Sequence, residues 1–222
     1  MGHRILYIPK PKSDFLNVDF GLLYNWFAAI DSRKISSSDD WRLLTYQEAG
    51  DFRTFWSNNN LLVKETGDIY WNTDNGLNSY NLNARGSGRR SPTTGDFLSL
   101  KLLWEIWTST EYIYDTTQSW SKSFSDNQTF FSRDPRPKEE GLAIRLVNPN
   151  TSLSNGQSGT YTGNDGKIYR TICINNYEWI ADNLLETKYR NGDLIPEVSD
   201  PSTWINLTTG ALCSYNNDWN NA

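Results

Sequence analysis

Residues 148–159, Asn-Pro-Asn-Thr-Ser-Leu-Ser-Asn-Gly-Gln-Ser-Gly, divide the chain into two parts that do not repeat one another. Turn-forming and flexible residues without an apolar period read as a linker, taken here as 148–157, and a dozen of them span roughly 20 Å as a random coil. The absence of a repeated motif argues against a tandem array. Neither side alone offers obvious replacement strands. Apolar mass for a shared core is present: aromatic residues make up 14% of 222 positions, ten of them Trp.

Charge narrows the partners. Lys and Arg number 21 against 26 Asp and Glu, a net charge of −5 with the signs interspersed. That gives no basic footprint for nucleic acid or an anionic membrane, and no run could span a bilayer. Residues 1–16 read as an N-terminal arm, in which Ile5 and Tyr7 alternate before Pro9 and Pro11 prevent ladder pairing. The segment to Pro9 is too short for a secretory core, so a soluble chain is expected. The only histidine, His3, lies in that arm, so a His general base, a Ser-His-Asp triad, a typical zinc site and a cofactor are not expected. Cys173 and Cys213 lack metal-knuckle spacing and read as two buried small hydrophobes rather than a bridge.

Upstream of the linker one helix is strongly signalled. Thr45 can cap it while Glu48 reaches back as the capping-box partner, and Tyr46, Ala49, Phe52 and Phe55 or Trp56 recur at helical spacing before Asn58 to Asn60 end it. Residues 73–100, with Gly76, Gly86, Gly88, Pro92 and Gly95, read as a long irregular excursion. Two alternating runs, Gln118 to Phe124 and Gln128 to Ser132, read as a hairpin turning at Asp126-Asn127. Arg85, Arg89 and Arg90 are expected to face solvent. Glu139-Glu140, beside Arg136 and Lys138, reads as a solvated loop rather than an acid/base pair.

Motifs on both sides of the linker point to one family. Tyr177-Glu-Trp-Ile-Ala-Asp-Asn-Leu-Leu-Glu-Thr-Lys-Tyr-Arg-Asn-Gly-Asp-Leu-Ile-Pro196 resembles the W-x-A-[ED]-N-L…T-x-[KR]-Y-x-[DN]-G-x-x-I-P signature of the Fibrobacter succinogenes major paralogous domain, a C-type-lectin-like module. Gly163 to Asn175 is similar to that family's opening strand, and Thr208 to Asp218 to its T-x-G-A-x-[CW]-x-Y-x-N-D. Motifs that the family places later stand earlier here: Phe20 to Ala29, Trp41 to Glu48 (with Leu44 where Pro is usual), Leu62 to Asn72, Ile106 to Tyr112, and the closing strand Gly141 to Val147. The resemblance thus implies an α+β, C-type-lectin-like fold that is circularly permuted or completed by exchange between subunits. Residues 17–147 would be the closing half and 158–222 the opening half, since termini that lie close together permit such reordering.

What this implies about function is a non-catalytic recognition or structural protein. Lectin-like frames hold variable loops, and aromatic faces stack on sugars while Asn and Asp meet hydroxyls. Trp107, Tyr112, Tyr114, Trp120, Asn127 and Phe130 are the candidate ligand-binding residues, alongside Trp104 in the same region. Host glycan or protein, other virion proteins and further copies of the chain are the expected partners. A bacteriophage virion component (fibre, tail or head decoration) is the expected setting, with a bacterial cell surface as the alternative. A subunit that only connects or decorates is the other functional reading. The tripeptides of calcium-dependent lectins are missing, so no metal is indicated. An enzyme like the distantly related formylglycine-generating enzymes is a remote alternative, because their redox-active cysteine pair lies in the closing part of the domain and both cysteines here lie in the other half.

Overall fold

A computed structural model describes residues 19–222, so the arm at 1–16 lies outside the described residues. The chain forms β1 (Leu23–Tyr24), α1 (Trp26–Ala29), α2 (Tyr46–Phe55), β2 (Arg89–Arg90), β3 (Phe97–Leu98), β4 (Leu103–Glu111) and β5 (Gln118–Ser125). Then come β6 (Pro135–Pro137), β7 (Val147–Asn148), β8 (Ser158–Thr162), β9 (Ile168–Ile174), β10 (Tyr177–Ile180), α3 (Pro201–Trp204) and β11 (Leu212–Cys213). Small sheets in the orders β7-β10-β9-β8, β4-β5-β6, β1-β11 and β2-β3 dominate, and helix is the minority, an α+β arrangement rich in strand.

The α2 helix starts where its sequence says. Thr45 Oγ1 accepts from the Glu48 amide at 3.2 Å and Glu48 Oε2 accepts from the Thr45 amide at 2.8 Å, a closed capping box contributing about 1 kcal/mol. Burial pushes the Glu48 carboxyl up, but Arg42, the Thr45 amide and Tyr177 donate to it and hold it at about 2. Of the two residues offered for the end of the inward face, Trp56 is fully buried and Phe55 is 39% exposed.

Both sides of the linker share one core. Phe52 of α2 and Trp56, which caps it, meet Trp179 of β10 at 4.6 and 5.7 Å between ring centres, and Trp71, Trp104, Phe124, Ile172 and Ile174 belong to the same buried cluster. Each such side chain removed from water stabilises the fold by roughly 1.5–3 kcal/mol. The backbone also crosses the divide: Val147 pairs with Trp179, and Leu23 pairs with Cys213. In β9 and β10 the two-residue turn Asn175-Asn176 has both φ angles positive, at 51° and 62°, the conformation that fits the twist of a tight hairpin and that Asn tolerates.

Polar staples fix the same seam. Arg145, fully buried, donates to Asn183 Oδ1 and to the carbonyls of Leu82, Asn83 and Ile180 at 2.7–3.0 Å. Asn183 in turn donates to Phe20 O at 2.7 Å. The chain approaches so closely there that a Cβ on Gly21, at φ 78°, would lie 2.4 Å from Asn183 Cβ, so only glycine fits. Asn25 repeats the device, accepting from the amides of Ala28 and Ala211 and donating to Thr209 O.

Several expectations are corrected. Residues 148–157 are not a free tether: Gly156 N and Gln157 O bond the Cys173 backbone, and Thr151 donates to Glu178, because each backbone group brought against β9 needs a partner. Gly141 to Val147 is not one regular strand but a buried thread whose residues bridge Arg90, Tyr24, Ile106 and Arg42 in turn. Arg85 and Arg90 are buried rather than solvent-facing. Arg85 meets Asp19, Glu65 and Asp182, and Arg90 lies over the Phe97 and Trp204 rings and donates to Gly95 O and Ser199 O.

Glu140 is also buried, not solvated, and accepts from the partly exposed Arg89 at 2.8 Å. Burial and the neighbouring Glu105 push its carboxyl up to about 7. Cys173 and Cys213 are buried free thiols, as small hydrophobes would be. No helix among the described residues is long and apolar enough to cross a membrane.

Candidate recognition surface

The β4–β5 hairpin carries the surface that least resembles the rest of the exterior. Its strands pair regularly from Leu103↔Ser125 to Trp107↔Ser121, and then the register shifts before Glu111↔Ser119. Such a bulge bends and twists a strand. Here it turns Ser109 and Thr110 toward the start of α2: Ser109 N donates to Leu44 O at 2.7 Å and Tyr46 N donates to Thr110 Oγ1 at 2.9 Å. The hairpin is thereby fastened to the first turn of the helix.

Beyond the bulge the loop 112–117 is held by Asp115. Its Oδ1 accepts from the Thr117 hydroxyl at 2.6 Å and amide at 3.0 Å, and its Oδ2 accepts from Gln118 Nε2 at 2.8 Å. Those bonds, the Thr117 hydroxyl first, hold the Asp115 carboxyl below the usual carboxylate range. The loop is therefore ordered by its own side chains at neutral pH.

A file of rings results. Tyr114 meets Tyr112 edge-on at 5.5 Å, Tyr112 meets Trp120 edge-on at 4.9 Å, and Trp120 lies on Tyr46 at 4.2 Å. The Arg133 guanidinium caps the far end 4.2 Å above the Tyr46 ring and donates to Tyr46 O. Tyr114 and the adjacent Ile113 are 81% and 76% exposed, while Tyr112 and Trp120 are half-buried. Edge-to-face contacts lock these rings, so their exposed faces are ordered before anything binds.

Of the six candidates from sequence, Tyr112, Tyr114 and Trp120 meet in this file. Trp107 does not: it is fully buried, and its indole donates to Tyr24 O at 2.8 Å, so it is a core residue. Asn127 and Phe130 lie at the opposite end of β5, about 25 Å along a strand of this length. They are exposed there but belong to a different surface. The hairpin expected to turn at Asp126-Asn127 does turn there, but its second run is not a strand: Ser132 alone bridges Ser123, and the ladder resumes at β6.

Sequence reasoning missed two members. Tyr46 was assigned wholly to the inward face of α2, and only the docked hairpin shows its ring shared with Trp120. Arg133 carries no sequence signal at all, since its role depends on a helix far away in the chain. Comparison with family models, curated proteins and solved structures finds no match to this chain.

Proposed function

We propose that this protein is a non-catalytic recognition module, an α+β frame of the C-type-lectin-like kind in permuted order, carried on a virion or a cell surface. It presents the β4–β5 hairpin to a host glycan. The observation that carries this reading is the pre-ordered ring file Tyr114–Tyr112–Trp120–Tyr46, fully exposed at Tyr114 and half-buried behind it. Rigid aromatic faces bind sugar rings with little loss of side-chain freedom, and Asp115, Thr117 and Arg133 surround them with polar groups suited to hydroxyls. The two sides of the linker complete one module through β7–β10 and β1–β11, the pairing that a permuted order requires.

The enzyme reading lacks this support. Burial pushes the Cys213 thiol up to about 12 and also raises Cys173, the reverse of what a thiolate nucleophile needs. A glycan array and a cell-adsorption assay test the proposal: the intact protein is expected to bind a subset of glycans and a Trp120→Ala, Tyr114→Ser double variant to lose that binding. An array without any specific signal, with cells bound equally by both proteins, would overturn it.

A further inference from the structure

A second, unrelated cavity lies on the seam between the two sides of the chain. The end of α2, residues 79–81 and the connector at 155–156 border a half-open space of about 280 Å³ against the end of β9. Phe55 and Tyr80 form one wall, with rings 5.6 Å apart and inclined by 47°. The nearly buried Ile172 and Ile174 and the polar Asn81, Asn155 and Asn175 also line the space.

The lining restricts the occupant. Among the described residues no carboxylate, ammonium or guanidinium group lines the cavity, so a charged ligand would lose hydration without gaining a counter-charge. Asn155 is committed: its Oδ1 accepts from Asn176 N at 2.8 Å and its Nδ2 donates to Asn176 Oδ1. The Asn81 and Asn175 side chains have no such commitment among the described residues and remain available as both donors and acceptors. The volume fits one ring and is below the usual range for drug-sized ligands. A ring with an apolar face for Phe55 and Tyr80 and an uncharged polar edge for the two carboxamides matches this lining.

We infer that the cavity is a binding site for a single neutral hexopyranose, clamped between Phe55 and Tyr80 on one side of the linker and Asn175 on the other. Its evidence is separate from the hairpin, and occupancy would bridge the two sides of the fold. Affinity for one sugar unit is expected to be on the order of millimolar.

The test is a titration of the full chain, followed by amide resonances, with the methyl β-glycosides of glucose, galactose and N-acetylglucosamine. At least one is expected to shift Asn81, Gly156 and Asn175 saturably. Phe55→Ala and Asn81→Gly should each weaken that response by roughly tenfold or more. Phe55 is partly exposed and Asn81 has φ 54°, which glycine adopts freely, so both variants should fold, as the unperturbed resonances elsewhere would verify. Tyr114→Ser should leave the response unchanged, so failure here and failure at the hairpin are distinguishable. No saturable shift with any of the three sugars, or shifts that survive both cavity substitutions, would overturn the inference.

Discussion

The two ends of β5 break the ordinary rule of burial in opposite directions. At its start, Trp120 and the preceding loop direct aromatic rings outward, with Tyr114 among the most exposed large side chains. At its end, Lys64 and Asp126 direct charge inward, with side chains 1% and 5% exposed and Nζ 2.7 Å from Oδ1. The buried end is fully accounted for by structure. Lys64 also donates to Thr73 O and Asp126 O, bonds Asn75, and lies over the Trp71 ring, while Thr73 donates to Asp126. The pair therefore pins an irregular loop to the sheet. No equivalent structural need explains the outward rings, since an exposed tyrosine adds little to folding. A feature that costs solubility without adding stability is where recognition is sought.

Perturbing the inward end should have the largest effect. Lys64→Met leaves Asp126 buried without its counter-charge and is expected to destabilise the fold by about 3–5 kcal/mol in urea unfolding. A loss below about 1 kcal/mol would show that the loop is not held by this pair.

Lys122, in the middle of the same strand, sharpens the contrast because it is buried with no carboxylate partner among the described residues. Its Nζ donates to Ala49 O at 2.8 Å and lies 4.2 Å from the Phe131 ring centre, and burial, helped by Arg133 and Arg53, pushes its pKa well below the usual lysine value. A base whose folded pKa is depressed binds fewer protons when native, so stability rises with pH up to the unfolded value near 10.5 and falls as the solution is acidified. Lys122→Met should remove that slope and gain on the order of 1–3 kcal/mol at neutral pH. An unchanged pH profile would contradict the assignment.

The outward end should respond weakly in stability and strongly in binding. Trp120→Ala removes a half-buried ring from between Tyr46 and Tyr112 and is expected to cost about 1–2 kcal/mol. Tyr114→Ser should change stability by less than about 0.5 kcal/mol in the same measurement while abolishing adsorption to cells. If Tyr114→Ser destabilises as much as Trp120→Ala, the tip is structural and the comparison fails.

Legibility in the sequence followed locality. The α2 cap needed only Thr45 and Glu48, three residues apart, and the structure forms it as read. The apolar alternation of β5 and the irregular course of 73–100 were equally plain. Arg85, Arg90 and Glu140 were misread because a charged residue in a polar stretch normally faces water. Arg85 and Glu140 meet partners remote in sequence, Asp182 and Arg89, and Arg90 reaches the remote Ser199 as well as the nearby Gly95. The ring file was half legible: Tyr112, Tyr114 and Trp120 lie close in sequence, whereas Tyr46 and Arg133 join only through the bulge at Thr108–Thr110.

The sequence by itself determined what short-range chemistry controls: the start of α2, the apolar alternation of β5, and the irregular course of residues 73–100. Tertiary structure alone decided which charges went inside, which aromatics stayed outside, and that the connector lies bonded along β9 rather than hanging free. The reason is that burying a charge or exposing a ring depends on partners brought together by the fold across most of the chain. Arg145, bonded to groups on both sides of the linker, is the residue in which that distant pairing is most complete.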